Sequence, residues 1–103
     1  GRLMTAPPEP QITVSDRPDE GAYVIEVDGQ RAGKAEYRVK DGRVVFTHTE
    51  VDDAFSGRGL ATKLARFALD DVKAKGVKIV PRCPFIAAYV KRHPEYQDMV
   101  DTD

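Results

Sequence analysis

The chain has 103 residues, enough for one domain with one modest core, since a chain of this size buries roughly two-thirds of its unfolded surface. Sixteen basic residues face seventeen acidic ones, a net charge of -1, so no overall field draws nucleic acid or an anionic membrane. Cys83 is the only cysteine, which excludes an internal disulfide and suits a reducing, cytoplasmic setting, and no apolar run reaches the roughly 20 residues of a membrane span.

Gly1-Arg2-Leu3 ahead of Met4 reads as a tag remnant, and no signal peptide is visible. Pro7, Pro8 and Pro10 make residues 1–10 a poorly ordered lead-in, which leaves 11–103 as a single domain. Ile12 to Val14 predicts a short strand, and Arg17-Pro18-Asp19-Glu20-Gly21 a turn. Ala22 to Val27 predicts a second strand, closed by the hairpin signal Asp28-Gly29. Lys34 to Val39 alternates polar and apolar residues, as a half-buried strand does, and Asp41-Gly42 signals another hairpin. Arg43 to Val51, rich in β-branched residues, is the fourth strand, so an antiparallel meander is expected.

The period then changes. Leu60, Leu64, Phe67, Ala68 and Val72 recur at helical spacing, and Lys73, Lys75 and Gly76 mark a helix stop. Val77 to Val80 is a fifth strand, expected inside the sheet and parallel to the fourth. Pro84 opens a second helix that ends before Pro94, and Tyr96 to Val100 allows a short final strand. The fold class is therefore mixed α/β, in the order β-β-β-β-α-β-α, with the meander joined to a parallel strand through the long helix.

Ser56-Gly57-Arg58-Gly59-Leu60-Ala61 lies between a strand and a helix start. Small residues there let the backbone approach a ligand, and the first amides and the dipole of the helix favour an anion. Arg58, Lys63 and Arg66 crowd the first half of that helix, against its dipole, and a bound polyphosphate would reverse the penalty. No Gly-Lys-Ser/Thr follows, so this is not a Walker loop, and a preceding meander strand does not suit a dinucleotide fingerprint. The plainer alternative is a glycine-rich turn that only connects.

This loop resembles the Gln/Arg-x-x-Gly-x-Gly/Ala motif of the GNAT superfamily of acyl-CoA N-acyltransferases. His48-Thr49-Glu50-Val51 before it, and Cys83-Pro84-Phe85, Ala88-Tyr89 and Arg92-His93-Pro94-Glu95-Tyr96 after it, extend the likeness to the minimal GNAT-like proteins of roughly 100 residues, over Ile12 to Val100. The resemblance implies acetyl-CoA as co-substrate, no metal, and an acetyl group passed to an amine that the sequence does not identify. It implies that Val51 meets the pantetheine arm and that Ser56, Gly57, Arg58, Gly59, Leu60, Ala61 and Thr62 hold the pyrophosphate. It also implies a fifth strand splayed from the fourth to admit the thioester. Two departures stand out. Ser56 occupies the position of the usual Gln or Arg, and only Ser15 to Gly21 stands where most GNAT enzymes carry two acceptor-binding helices.

Acetyl transfer to an amine needs a base for the amine and an acid for the departing thiolate. By the period of two, Val44, Phe46, His48 and Glu50 share one face of the fourth strand, so His48 and Glu50 point together as candidate bases. The alternatives are a satisfied sheet histidine and a surface charge. By the resemblance, Tyr89 protonates the thiolate; the alternative is a core aromatic with its hydroxyl at the rim. Cys83 stands directly before Pro84, where the helix start and Arg82 would favour a thiolate, so it is a candidate nucleophile. The alternative is a small buried hydrophobe. The readings at whole-protein level are an N-acetyltransferase, a CoA-binding module without its own turnover or dependent on a partner, and a structural domain whose loop binds nothing.

Overall fold

The computed structural model describes residues 9–101. The expected tag remnant and most of the lead-in therefore lie outside the described residues. Four strands form an antiparallel meander: β1 (Ile12–Arg17), β2 (Ala22–Val27), β3 (Gln30–Lys40) and β4 (Arg43–Val51). Helix α1 (Leu60–Ala74) leads to β5 (Ile79–Pro81), which pairs parallel with β4, and α2 (Pro84–Arg92) follows. The strands lie in the sheet in chain order, β1-β2-β3-β4-β5. Both hairpins turn through two residues of positive φ, Asp28-Gly29 and Asp41-Gly42, the geometry that matches strand twist.

Alternation places Tyr23, Ile25, Val27, Ala35 and Phe46 on one face. Leu60, Leu64, Ala65, Ala68, Leu69 and Val72 of α1, and Ile86, Tyr89 and Val90 of α2, cover that same face and form one continuous core with it. Phe67 stands at the margin of the α1 stripe and is partly exposed. Both helices are on one side; the other face of the sheet mixes polar side chains with Ala22, Val24 and Val45, which are buried outside that core.

Several boundaries differ from expectation. β1 runs on to Arg17, because pairing with Ala22–Val27 continues to the single 3-10 turn Pro18–Glu20. β3 begins at Gln30, since the hairpin extends directly from Gly29. β5 is an edge strand rather than an interior one, and only three residues long. The last segment is a 3-10 helix, Pro94–Met99, started by its proline and anchored by Tyr96, whose hydroxyl donates to Asp70 at 2.6 Å. The expected final strand shrinks to one bridge, Val100 beside Ile79.

Candidate active site

Pairing between β4 and β5 covers only Val44, Val45 and Phe46 against Ile79, Val80 and Pro81. It stops where the Phe46 carbonyl accepts from two successive amides, Arg82 at 3.0 Å and Cys83 at 2.9 Å. Pro84, the first residue of α2, directs the chain into a helix from there. β4 continues alone to Val51, held only by β3, so the two chains part beside His48–Val51. This is the expected splay.

A bulge decides which side chains face it. Glu36 pairs with His48, but the next residue, Tyr37, pairs with Phe46, leaving Thr47 as an extra residue on β4. Val44 and Phe46 face the helices. After the bulge, Thr49 and Val51 face the helices, and His48 and Glu50 face away. The expectation that all of Val44, Phe46, His48 and Glu50 share one face is thus corrected: the extra residue reverses the alternation. The apolar run Val44-Val45-Phe46 precedes the bulge and alternates regularly; Val45 is buried on the face away from the helices.

On the helix side, Cys83 is 3% exposed, and its Sγ lies 3.4 Å from Oγ1 of Thr49, close enough for either to donate. Thr49 was not singled out from the sequence. Val51 is half-buried against the core beside it. On the open side, Nε2 of His48 and Oε1 of Glu50 are 2.8 Å apart, with both side chains about half exposed. Glu36, opposite His48, pairs with Lys34 at 2.8 Å, and that ammonium holds the Glu36 carboxyl below the usual carboxylate range. His48 and Glu50 therefore come together, and Cys83 comes to Thr49, but on opposite faces of one strand.

Tyr89 is buried, its ring stacked on His93 at 3.9 Å between centroids. Its hydroxyl meets Arg66 of α1, and this hydrogen bond holds the guanidinium above its ordinary range. Tyr89 is thus aimed across the seam between the two helices.

The loop that leaves β4 is tied down at its start. Asp52 N–H donates to the Ala32 carbonyl at 2.8 Å, and the 3-10 turn Asp53–Phe55 buries Phe55. Ser56 turns its hydroxyl inward to the Asp53 carbonyl at 2.9 Å. Gly57 and Gly59 both adopt left-handed φ, 79° and 71°, with open space where a Cβ would stand. Gly59 is the N-cap of α1 and has no side-chain cap. Its carbonyl accepts from Lys63 N–H at 3.2 Å, so the amides of Leu60, Ala61 and Thr62 precede the first intrahelical bond. The first turn has no acidic residue, and the Arg58 guanidinium sits 5.3 Å from the Phe55 ring centre. The arrangement is a cationic, backbone-lined cradle at a helix start, next to a parted pair of strands. Among the described residues no group of three or more His, Cys, Asp or Glu could hold a metal, and no helix is long and apolar enough to cross a membrane.

Residues 22–99 match the family described as GCN5-related N-acetyl-transferase. The chain belongs to that family. As a GCN5-related chain it falls among proteins of acetyl transfer, and its mixed five-stranded sheet followed by helices agrees with its structural neighbours. A GCN5-like protein of Staphylococcus aureus, solved by NMR, superposes with a TM-score of 0.63 at 21% identity, covering 90% of this chain and 89% of that one. The ribosomal-protein-alanine N-acetyltransferase of Brucella melitensis biovar Abortus superposes at 0.53 with 19% identity, covering 80% and 62%. At these identities the likeness is one of fold. Protein NATD1 of Mus musculus is 49% identical over 59 residues, 56% of this chain and 54% of that protein. Protein NATD1 of Xenopus tropicalis is 49% identical over 51 residues, 50% and 47%. The chain spans about half the length of these relatives.

Proposed function

We propose that this GCN5-related chain transfers an acetyl group from acetyl-CoA to an amine. The observation that carries the reading is the uncapped start of α1, set behind two left-handed glycines and next to the splay of β4 and β5. The amides of Leu60, Ala61 and Thr62, with the backbone of Ser56 to Gly59 and the charge of Arg58, are suited to the pyrophosphate. The inward turn of Ser56 leaves that work to the backbone. Val51 then flanks the pantetheine arm, and the thioester reaches the gap beside Thr49 and Cys83.

The amine nitrogen attacks the thioester carbonyl carbon from the open side of the sheet. A C–N bond forms and the C–S bond breaks. The proton lost by nitrogen goes to the His48–Glu50 pair, directly or through water, and the departing thiolate takes a proton from Tyr89. In a two-step route the Cys83 sulfur takes the acetyl group first, its proton leaving with the CoA thiol, and then passes the group to the amine. Cys83 and the His48–Glu50 pair lie on opposite faces of β4, so an acetyl group meets both only at the edge where β4 is unpaired.

A second reading is a CoA-binding module without turnover of its own, or one active only with a partner. The short Pro18–Glu20 turn favours it, because nothing between β1 and β2 builds a wall for the acceptor. Titration calorimetry with acetyl-CoA tests the shared premise, with one site per chain expected. Gly59→Val forces a β-branched residue to positive φ and should remove the heat while the fold persists. Full affinity in that variant would end the assignment of the loop. Thioester cleavage with and without added amines then separates enzyme from module.

A further inference from the structure

A cavity of about 230 Å³ lies at the other end of the molecule, between the β3–β4 hairpin and the last turn of α1. Its walls are Tyr23, Tyr37, Val39, Val44, Val72 and Val77. The length of α1, about 22 Å at helical rise, separates it from the glycine loop. An apolar cavity of about 150 Å³ holds a benzene ring, so this one has room for a ring with a short chain.

One edge of the cavity is charged. The Tyr23 hydroxyl donates to Oδ2 of Asp71 at 2.6 Å, and Nζ of Lys75 donates to the same oxygen at 2.9 Å. The Tyr37 hydroxyl donates to Oδ1 of Asp16 at 2.6 Å. The other Asp16 oxygen is in a longer ion pair with the same Lys75, at 3.6 Å. Two carboxylates against one ammonium leave a negative charge, and Asp16 retains acceptor capacity beside two tyrosine rings whose centres are 5.3 Å apart.

We propose that this cavity is a ligand site for a small primary amine with an aromatic or branched apolar tail, the tail among the valines and tyrosine rings and the ammonium on Asp16. The ring faces add attraction for a cation. A carboxylate of the same shape meets Asp16 and Asp71 as like charges and is rejected. A neutral alcohol fills the same space without the charge-assisted bond.

The test is an NMR titration of the isotope-labelled full chain with phenethylamine, phenethyl alcohol and hydrocinnamate. The amine should shift the amides of Tyr37, Gly42, Val44, Lys75 and Val77. It should bind about tenfold more tightly than the alcohol, the size of one charge-assisted hydrogen bond net of desolvation, with the carboxylate weakest. Asp16→Asn keeps an acceptor for the Tyr37 hydroxyl and should abolish the difference between amine and alcohol, the rest of its spectrum unchanged. Equal binding of all three compounds would overturn the proposal, as would amine-induced shifts confined to the neighbourhood of His48 and Cys83. The second outcome would mark the amine as an acetyl acceptor only. The result is independent of whether acetyl-CoA binds at the loop.

Discussion

Thr49 has His48 and Glu50 as chain neighbours, yet its side chain points away from both, toward Cys83. That separation assigns different tests to the two faces of β4. On the open face, Glu50→Gln or His48→Ala should lower turnover by about 10² to 10⁴-fold while acetyl-CoA affinity stays at the wild-type level, read by pre-steady-state rates and calorimetry. Unchanged rates in both variants would move the base elsewhere. On the helix face, the Cys83 thiol is buried beside the splay, where the proposed site puts the thioester. Acetyl-CoA should therefore slow its alkylation, and incubation should add one acetyl group to the intact mass. Full turnover in Cys83→Ala, with protection retained in the wild type, would mean that the acetyl group passes straight to the amine.

At the scale of elements, the close approach of β3 to β4 depends on Gly33. A Cβ there would stand 2.6 Å from the Glu50 carbonyl oxygen, which is backbone and has no slack. Gly33→Ala should cost about 1 to 3 kcal/mol of stability, seen as a lower Tm, and should disturb the strand that presents Glu50. The hairpins, the ends of α1 and the start of α2 were legible in the sequence because their signals are local: Asp-Gly pairs, Gly76 and Pro84. The loop at Gly57 and Gly59 was legible for the same reason. The face of His48 and Glu50 was misread because a bulge is a pairing event, fixed by how β4 meets β3 at Thr47 and not by any residue pattern within β4. The edge position of β5 and the 3-10 ending were misread because they depend on which residues meet in space. Tyr96 finds Asp70 on α1, 26 positions earlier, and no local rule announces it.

Across the whole molecule, three tyrosine hydroxyls fasten the layers together: Tyr23 to Asp71, Tyr37 to Asp16 and Tyr96 to Asp70. Burial first, and then the carboxylate acceptors, raise all three phenols above their ordinary value. A tyrosine raised in the native state stabilises the fold fully below the unfolded value of about 10, and this contribution falls as pH climbs toward the native value. Each of the three should remove roughly 1.4 kcal/mol per pH unit above about 10, so denaturant midpoints should drop steeply there. In an ultraviolet titration these tyrosines should ionise together with unfolding rather than before it. At the acid end, burial pushes Asp71 up, but the Tyr23 hydroxyl and Lys75 outweigh it and leave its carboxyl below the ordinary range. Its contribution is present above the unfolded value of about 3.9 and is lost as pH falls.

The chain-order sheet also dictates where the native state opens. β1 to β4 are joined by tight connections, so their pairings close short loops, whereas β5 reaches β4 only after α1 and gains three pairs. The edge carrying Arg82 and Cys83 should thus be a separate, weaker cooperative unit. In native-state hydrogen exchange, the amides of Arg82 and Cys83, both bonded to Phe46, should show less protection than Ile25 in the meander. Acetyl-CoA should raise that protection toward the global limit, which would make the co-substrate a clasp on the weakest edge of the sheet.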